Sequence, residues 1–285
     1  MALTFLVLGA SGMLGNACLK ALGRPGDVVR GTVRSAGSIR QLPEALQAGV
    51  LSGVDAGDFD SVTRAIEVVR PDVVVNCIGM VKQLAESRDP LVALPLNALF
   101  PHRLQRLCAV ADARLVHVST DCVFSGDRGM YLESDRPDAD DLYGVSKRLG
   151  EVDAANAVTL RTSIIGHELS GARSLIDWFL AQEGPIDGFT RAVFSGVPTV
   201  ELARIIRDFV VPHPQLRGLY HVSAEPIDKH TLLSLVTREY GRQTVINPSE
   251  RLIIDRSLNS DRFRAATGYA PPAWPDLIAL MRAQS

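Results

Sequence analysis

Residues 4–23 read TFLVLGASGMLGNACLKALG: a short apolar run, a glycine-rich turn, and a segment of helical spacing closed by Gly23. The turn places Gly9, Gly12 and Gly15 at three-residue intervals. In a strand-to-helix turn that holds a pyrophosphate, the three glycines answer three demands. One permits the tight reversal, one lets backbone approach the phosphates, and one lets the helix pack closely on the sheet. The helix N-terminus adds amide donors and a favourable dipole. The spacing departs from the more familiar G-x-G-x-x-G, so a turn that merely needs small residues is the competing reading; strand before and helix after favour the dinucleotide site. Ser11, Met13 and Leu14 share the turn and join the glycines as cofactor candidates.

Outward from this unit, strand-like and helix-like segments alternate. VVRGTV (28–33), DVVVNCIG (72–79), RLVHVST (114–120) and AVTLRTS (157–163) have strand character. SIRQLPEALQA (38–48), DFDSVTRAIEVV (58–69), PLNALFPHRLQRLCAVA (95–111) and YGVSKRLGEVDAA (143–155) have helical spacing. Apolar strands separated by helices imply a parallel sheet covered on both faces. After Thr162 the rhythm loosens: ELSGARSLIDWFLAQEG and TVELARIIRDFVV look helical, GLYHVSA looks like one more strand, and the tail like three short helices. The expectation is an α/β, doubly wound (Rossmann) domain from residues 1–163 and 192–224. Residues 164–191 and 225–285 then form a smaller, mostly helical substrate-binding lobe.

The composition is that of an enzyme-sized globular chain, with 285 residues and 46% hydrophobic residues. A net charge of −2 gives no basic surplus for nucleic acid or anionic membrane. The apolar stretches are strand-sized, and the first residues lack the basic flank of a signal peptide. Cys18, Cys77, Cys108 and Cys122 show no C-x-x-C spacing and favour a reducing, cytoplasmic setting. Six histidines without metal-ligand spacing predict no metal.

In open parallel sheets, ligands bind beyond the carboxyl ends of the strands. A site selective for NAD usually offers an acid about 20 residues past the glycines. Here no Asp or Glu lies between Asp27 and Glu44, and Arg34 ends the second strand. An arginine there suits a 2′-phosphate, so NADPH is the expected cofactor, with NADH the alternative. Asp55, and Cys77, Ile78 and Gly79 at the end of the strand 72–79, complete that side of the cofactor set. VSTDCVFSG closes the strand 114–120 and puts Ser119, Thr120 and Asp121 at its end, where a hydroxyl can polarise a carbonyl. Tyr143 precedes Lys147 by four residues, one helical turn, in a chain with only four lysines.

This constellation resembles the extended short-chain dehydrogenase/reductases. ARLVHVSTDCVFSG, YLESDRPDADDLYGVSKRLGE, LRTSIIG, FSGVPTVELARII and the ending RSLNSDRFRAATGYAPPAWPDLIALM are similar to the dTDP-4-dehydrorhamnose reductase branch. The resemblance implies hydride transfer from NAD(P)H to the keto group of a nucleotide-linked 4-keto-6-deoxy sugar. It makes Tyr143 the proton donor, Lys147 the residue that orients the ribose and lowers the tyrosine pKa, and Thr120 the aid to carbonyl polarisation. Ser119 would serve the cofactor, and Asp121, Cys122, Arg161 and Ser163 the sugar; a homodimer fits the same picture. Cys122, NCIGMV (76–81) and SIIGHELSG (163–171) depart from the branch's pattern near the sugar. They leave His167, Arg173 and Trp178 as weaker contact candidates, with Trp178 expected in the core or an interface. Two other readings stay open: a nucleotide-sugar epimerase or dehydratase on the same scaffold, and a non-catalytic cofactor-binding subunit resembling the β subunit of methionine adenosyltransferase.

Overall fold

The computed structural model describes residues 2–80 and 85–284; Val81, the last residue of NCIGMV, lies outside them. Seven strands form one parallel sheet: β1 (Thr4–Leu8), β2 (Val28–Val33), β3 (Val50–Ser52), β4 (Val73–Asn76), β5 (Arg114–Thr120), β6 (Ala157–Thr162) and β11 (Gly218–His221). Their order is β11-β6-β5-β4-β1-β2-β3. The chain leaves β1 towards one edge and returns at β4 on the other side. That reversal opens a crevice at the carboxyl ends of β1 and β4.

Strand parity divides the core. Phe5, Val7, Val73, Val75 and Val116 face one apolar cluster, together with Cys18 and Leu19 of the helix Met13–Ala21 and Leu202 and Ile205 of the helix Thr199–Ile205. Leu6, Leu8, Val74 and Leu115 face a second cluster, with Val62 and Ile66 of the helix Phe59–Val69 and Phe100 and Leu104 of the helix Phe100–Val110. The central strands β1, β4, β5 and β6 feed both layers, which is why runs within them are apolar on both faces.

The turn after β1 depends on two glycines. Gly9 takes φ +81°, a left-handed conformation that a side chain resists. At Gly15 a Cβ would stand 2.1 Å from the Gly9 carbonyl oxygen, so the helix packs directly on the turn's backbone.

Several elements differ from the sequence expectation. Pro43 splits the expected helix over 38–48 into two short turns, Ala36–Ile39 and Glu44–Gln47. The segment before Phe100 opens into a π-helical turn, Leu94–Leu99. The helix at 143–155 covers only Leu142–Leu149; Gly150 caps it, and a side chain there would collide with the Asn97 carbonyl. The run 168–184 yields only Leu175–Leu180.

The tail does form three helices, Lys229–Glu239, Asp261–Thr267 and Trp274–Arg282. Between them lie short strands that the sequence pattern hides. β7 (Ile164–Ile165) pairs with β10 (Val197–Pro198), β8 (Ile186–Phe189) with β13 (Ile246–Ser249), and β9 (Ala192–Phe194) with β12 (Ile227–Asp228) and β14 (Ile254–Asp255). Leu232, Val236, Leu277 and Ile278 belong to the same apolar cluster as Phe5 and Val7, so the tail helices share the sheet's core. Among the described residues, no helix is long and apolar enough to cross a membrane.

Gly15→Ala tests the turn. The added methyl has no volume to occupy, and overpacking of this kind costs about 1–3 kcal/mol or more. Urea unfolding of the variant should show at least that loss; unchanged stability would mean that the helix shifts freely on the turn.

Candidate active site

A cleft of about 340 Å³ opens where the sheet order reverses. Gly12, Met13 and Leu14 line one wall, Cys77, Ile78 and Gly79 another, and Ser119, Thr120, Asp121, Cys122, Tyr143, Lys147 and Ser163 the floor and far side. The ends of β1, β4, β5 and β6 and two helices, Met13–Ala21 and Leu142–Leu149, therefore bring together most residues singled out in the sequence.

The helix Leu142–Leu149 is capped by Asp141, whose side chain accepts the Gly144 amide at 2.9 Å. Its first turn presents Tyr143 and its next presents Lys147. Lys147 is 6% exposed and donates from Nζ to the Val118 carbonyl at 2.8 Å. Burial lowers its pKa to about 8, while the charge of Glu151 opposes the drop. Burial holds the Tyr143 hydroxyl well above the ordinary phenol range; the charge of Cys122 adds to the rise and a hydrogen bond with Thr120 opposes it. In the chain alone, desolvation thus outweighs the acidifying influence expected from Lys147. The single Thr120 hydroxyl proton has a second acceptor in Asp121 Oδ1 at 3.1 Å, and the hydroxyl oxygen accepts the Cys122 amide at 3.1 Å. Asp121 is buried, which raises its pKa, against the lowering influence of Arg256, Thr120 and Lys229.

Two asparagines brace the wall opposite Tyr143. Asn76 accepts the Ile78 amide at 3.1 Å and contacts His117 Nδ1 through Nδ2 at 3.1 Å. Burial pushes the His117 pKa down, so the ring is neutral; Nδ1 accepts from Asn76, and the proton sits on Nε2, which has no partner among the described residues. Asn97, in the π-helical turn, accepts the Met80 amide at 2.8 Å and donates to Ser146 Oγ at 3.1 Å. Ser146 in turn donates to the Tyr143 carbonyl at 2.9 Å. Sequence reasoning missed all of these. An asparagine inside an otherwise apolar helix was the available signal.

Other candidates lie elsewhere. Gly9 and Gly15 shape the turn from beneath, and Ser11 is half-buried beside them, outside the cleft lining. Arg34 is exposed just past β2, and Asp55 lies past β3 with Oδ1 accepting the Gly57 amide; neither lines the cleft. Arg161 is a correction. It is 1% exposed, its Nε and Nη2 donate to Glu151 at 2.8 and 2.6 Å, and its Nη1 donates to His221 Nε2 at 2.9 Å. Three of its five N–H donors are used inside the fold and it does not line the cleft, so it does not face a sugar. His167 is held by Asp177 at 2.6 Å and Tyr240 at 2.7 Å, away from the cleft, and Arg173 is exposed. Trp178 is 41% exposed and lines a second pocket of about 380 Å³, rather than sitting in the core. Lys229 and Arg256 line that pocket as well, and both escaped sequence analysis. Among the described residues, no cluster of three metal-ligand side chains exists.

The sheet order, the glycine turn and the Tyr143–Lys147 helix define an extended short-chain dehydrogenase/reductase. Within that class the chain belongs to the RmlD substrate binding domain family, whose model matches residues 3–251. It is 34% identical over 148 residues to dTDP-4-dehydrorhamnose reductase of Streptomyces griseus, a match covering 52% of this chain and 43% of that protein. The chain therefore spans less than half the length of that relative. It is 29% identical over 262 residues to methionine adenosyltransferase 2 subunit beta of Danio rerio, covering 87% of this chain and 76% of that one. Its fold matches the crystal structure of dTDP-4-dehydrorhamnose reductase from Bacillus anthracis in complex with NADP. That match has a TM-score of 0.81 and 18% identity, and covers 100% and 99% of the two chains.

The Lys147 environment sets a pH dependence. The folded chain releases this proton near pH 8, whereas an unfolded lysine keeps it to about 10.4. The unfolded state binds more protons between those values, so unfolding free energy rises with pH there and is lowest below pH 8. The stability difference between wild type and Lys147→Met should shift in favour of wild type by roughly 2–3 kcal/mol from pH 7.5 to 10. Lys229 titrates in both proteins and cancels. Urea titrations across that range test it, and a flat difference would remove the depressed pKa.

Proposed function

We propose that this chain reduces the keto group of a nucleotide-linked 4-keto-6-deoxy sugar with NADPH, NADH being the alternative donor. The observation that carries this reading is the convergence of Thr120, Tyr143 and Lys147 on the cleft beyond the glycine turn. The names of the relatives, dTDP-4-dehydrorhamnose reductases among them, support the substrate class.

The residues present fit a dinucleotide. The turn offers bare backbone at Gly9, Gly12 and Gly15 at the start of a helix, the arrangement a pyrophosphate requires. Met13, Leu14, Cys77, Ile78 and Gly79 would hold the cofactor along the two strand ends, and Ser119 and Lys147 its ribose side. Arg34, exposed past β2, would meet a 2′-phosphate, with Asp55 beside it at the next strand end. When bound, the cofactor supplies the hydride.

The chain's own residues supply the rest. Tyr143 donates its hydroxyl proton to the carbonyl oxygen as that oxygen gains charge. The Thr120 hydroxyl, hydrogen-bonded to Tyr143, polarises the same oxygen. The Lys147 ammonium, held by the Val118 carbonyl in the same cleft, favours the phenolate left behind. Asp121, Cys122 and Ser163 line the cleft where the sugar would lie. Residues 164–191 and 225–285 act as the substrate-binding lobe, against the cofactor-binding residues 1–163 and 192–224. The long match to the adenosyltransferase subunit favours a second reading, a cofactor-binding subunit without turnover.

Tyr143→Phe distinguishes the two. Loss of the general acid should lower kcat on an accepted 4-keto sugar nucleotide on the order of 10²–10⁴-fold while NADPH still binds. Wild-type turnover in the variant would eliminate the proton-donor role. No turnover by wild type on any 4-keto sugar nucleotide, with NADPH bound, would favour the subunit reading.

Arg34→Ala addresses cofactor choice. Removing one charge-assisted hydrogen bond, worth about 1.5–3 kcal/mol, should weaken NADPH selectively. Fluorescence titration with both dinucleotides measures it; equal weakening of NADPH and NADH would take Arg34 out of the specificity role.

A further inference from the structure

We propose that a small cavity behind the glycine turn binds a free α-amino acid. Asn16 and Glu168 receive its ammonium, Lys20 its carboxylate, and Met13, Leu169 and Met281 its side chain. The ligand's identity does not depend on the reductase reading above.

The cavity measures about 110 Å³. It lies between the helices Met13–Ala21, Thr199–Ile205 and Trp274–Arg282 and the segment 167–169. Met13 lines both this space and the catalytic cleft. His167, Glu168 and Leu169 come from SIIGHELSG, a stretch of which the cleft takes only Ser163 and Ile164. Five of the eleven lining residues are apolar, and Ala17, Val200 and Met281 among them are buried.

The polar groups are arranged for a partner from outside. Asn16 is 7% exposed, and its Oδ1 has no hydrogen-bond partner among the described residues. A buried acceptor left open costs stability, and a donor brought in by a ligand recovers it. Glu168 is fixed through Oε2, which accepts the amides of Arg173 and Ser174 at 2.7 and 3.3 Å, so Oε1 can still accept. Lys20 donates from Nζ to the Gln284 carbonyl at 3.2 Å, which uses one of its three protons. Both nitrogens of His167 are engaged by Asp177 and Tyr240, so the ring serves as wall. Thr199, buried, adds a hydroxyl.

Charge and size narrow the ligand. A lone cation would be repelled by Lys20 and a lone anion by Glu168, whereas a molecule carrying both charges satisfies both walls. One water needs roughly 10–15 Å³ of such space, so several heavy atoms fit. The cavity is well below the roughly 300 Å³ at which larger ligands begin. Water alone would satisfy Asn16 but would wet the apolar part of the lining; the side chain of an amino acid covers it instead. A small α-amino acid meets all of these demands.

The test uses L-alanine and L-serine as probes, titrated calorimetrically into the full chain saturated with NADP+, which keeps them out of the catalytic cleft. At least one should bind with a Kd of about 1 mM or tighter. L-Lactate, which lacks the ammonium, and ethylamine, which lacks the carboxylate, should each bind at least tenfold more weakly. Asn16→Leu should weaken the amino acid at least tenfold. Because it removes an open buried acceptor, it should also leave the Tm of the ligand-free chain unchanged or higher. Lys20→Met should weaken binding by a similar factor, and Lys20 is exposed at the mouth, so this variant probes the cavity without disturbing its floor. The assignment is overturned if neither amino acid binds, if lactate or ethylamine binds as tightly as alanine and serine, or if both variants bind like wild type.

Discussion

A buried ion pair, Arg161 with Glu151, holds the working end of the sheet in register. Glu151 lies one residue past Gly150, at the end of the helix that carries Tyr143 and Lys147, and it accepts the Ser119 hydroxyl at 2.7 Å. Arg161 extends the link from β6 to His221 on β11 and lies over the Phe124 ring at 5.0 Å. Burial, with Arg161 alongside, lowers the His221 pKa to about 3, so its ring is neutral and can accept the guanidinium proton. Its other nitrogen then donates to the Tyr131 carbonyl at 3.0 Å. Three strands, one helix and a loop are tied through two charges. Removing one partner of such a pair typically costs about 3–5 kcal/mol, because the other charge stays buried and uncompensated.

The opposite wall of the cleft uses neutral groups for the same purpose. Asn76 and Asn97 each satisfy a backbone amide of the segment after β4, and Asn97 also reaches the helix that carries Tyr143 and Lys147 through Ser146. Site geometry is thus fixed largely from behind, by side chains aimed at backbone. Buried polar groups of this kind contribute geometry more than net stability, since each bond formed replaces one to water.

The sheet was legible because double-sided burial favours unbroken apolar runs in a central strand, and Val73–Val75 shows one directly. The glycine turn and the Tyr143–Lys147 spacing were legible because each reflects a local constraint. Arg161 misled because a sequence gives a strand-end position without saying which partner waits inside; Glu151 is ten residues away and carries no pattern. Strands of two to four residues, such as β8 and β13, are too short for periodicity, and Pro248 hides the second of them. Lys229 could have been found. The scarcity of lysine that drew attention to Lys147 applies equally to it.

That scarcity has a thermodynamic consequence. Most of the chain's positive charge is arginine, which keeps its proton at any ordinary pH, whereas Lys147 and Lys229 are half-charged near pH 8. An anion that settles beside either lysine stabilises the protonated form, so its arrival draws a proton out of solution. Ligand capture and proton uptake are then a single equilibrium, and the chain grips an anion more weakly as the medium becomes more alkaline.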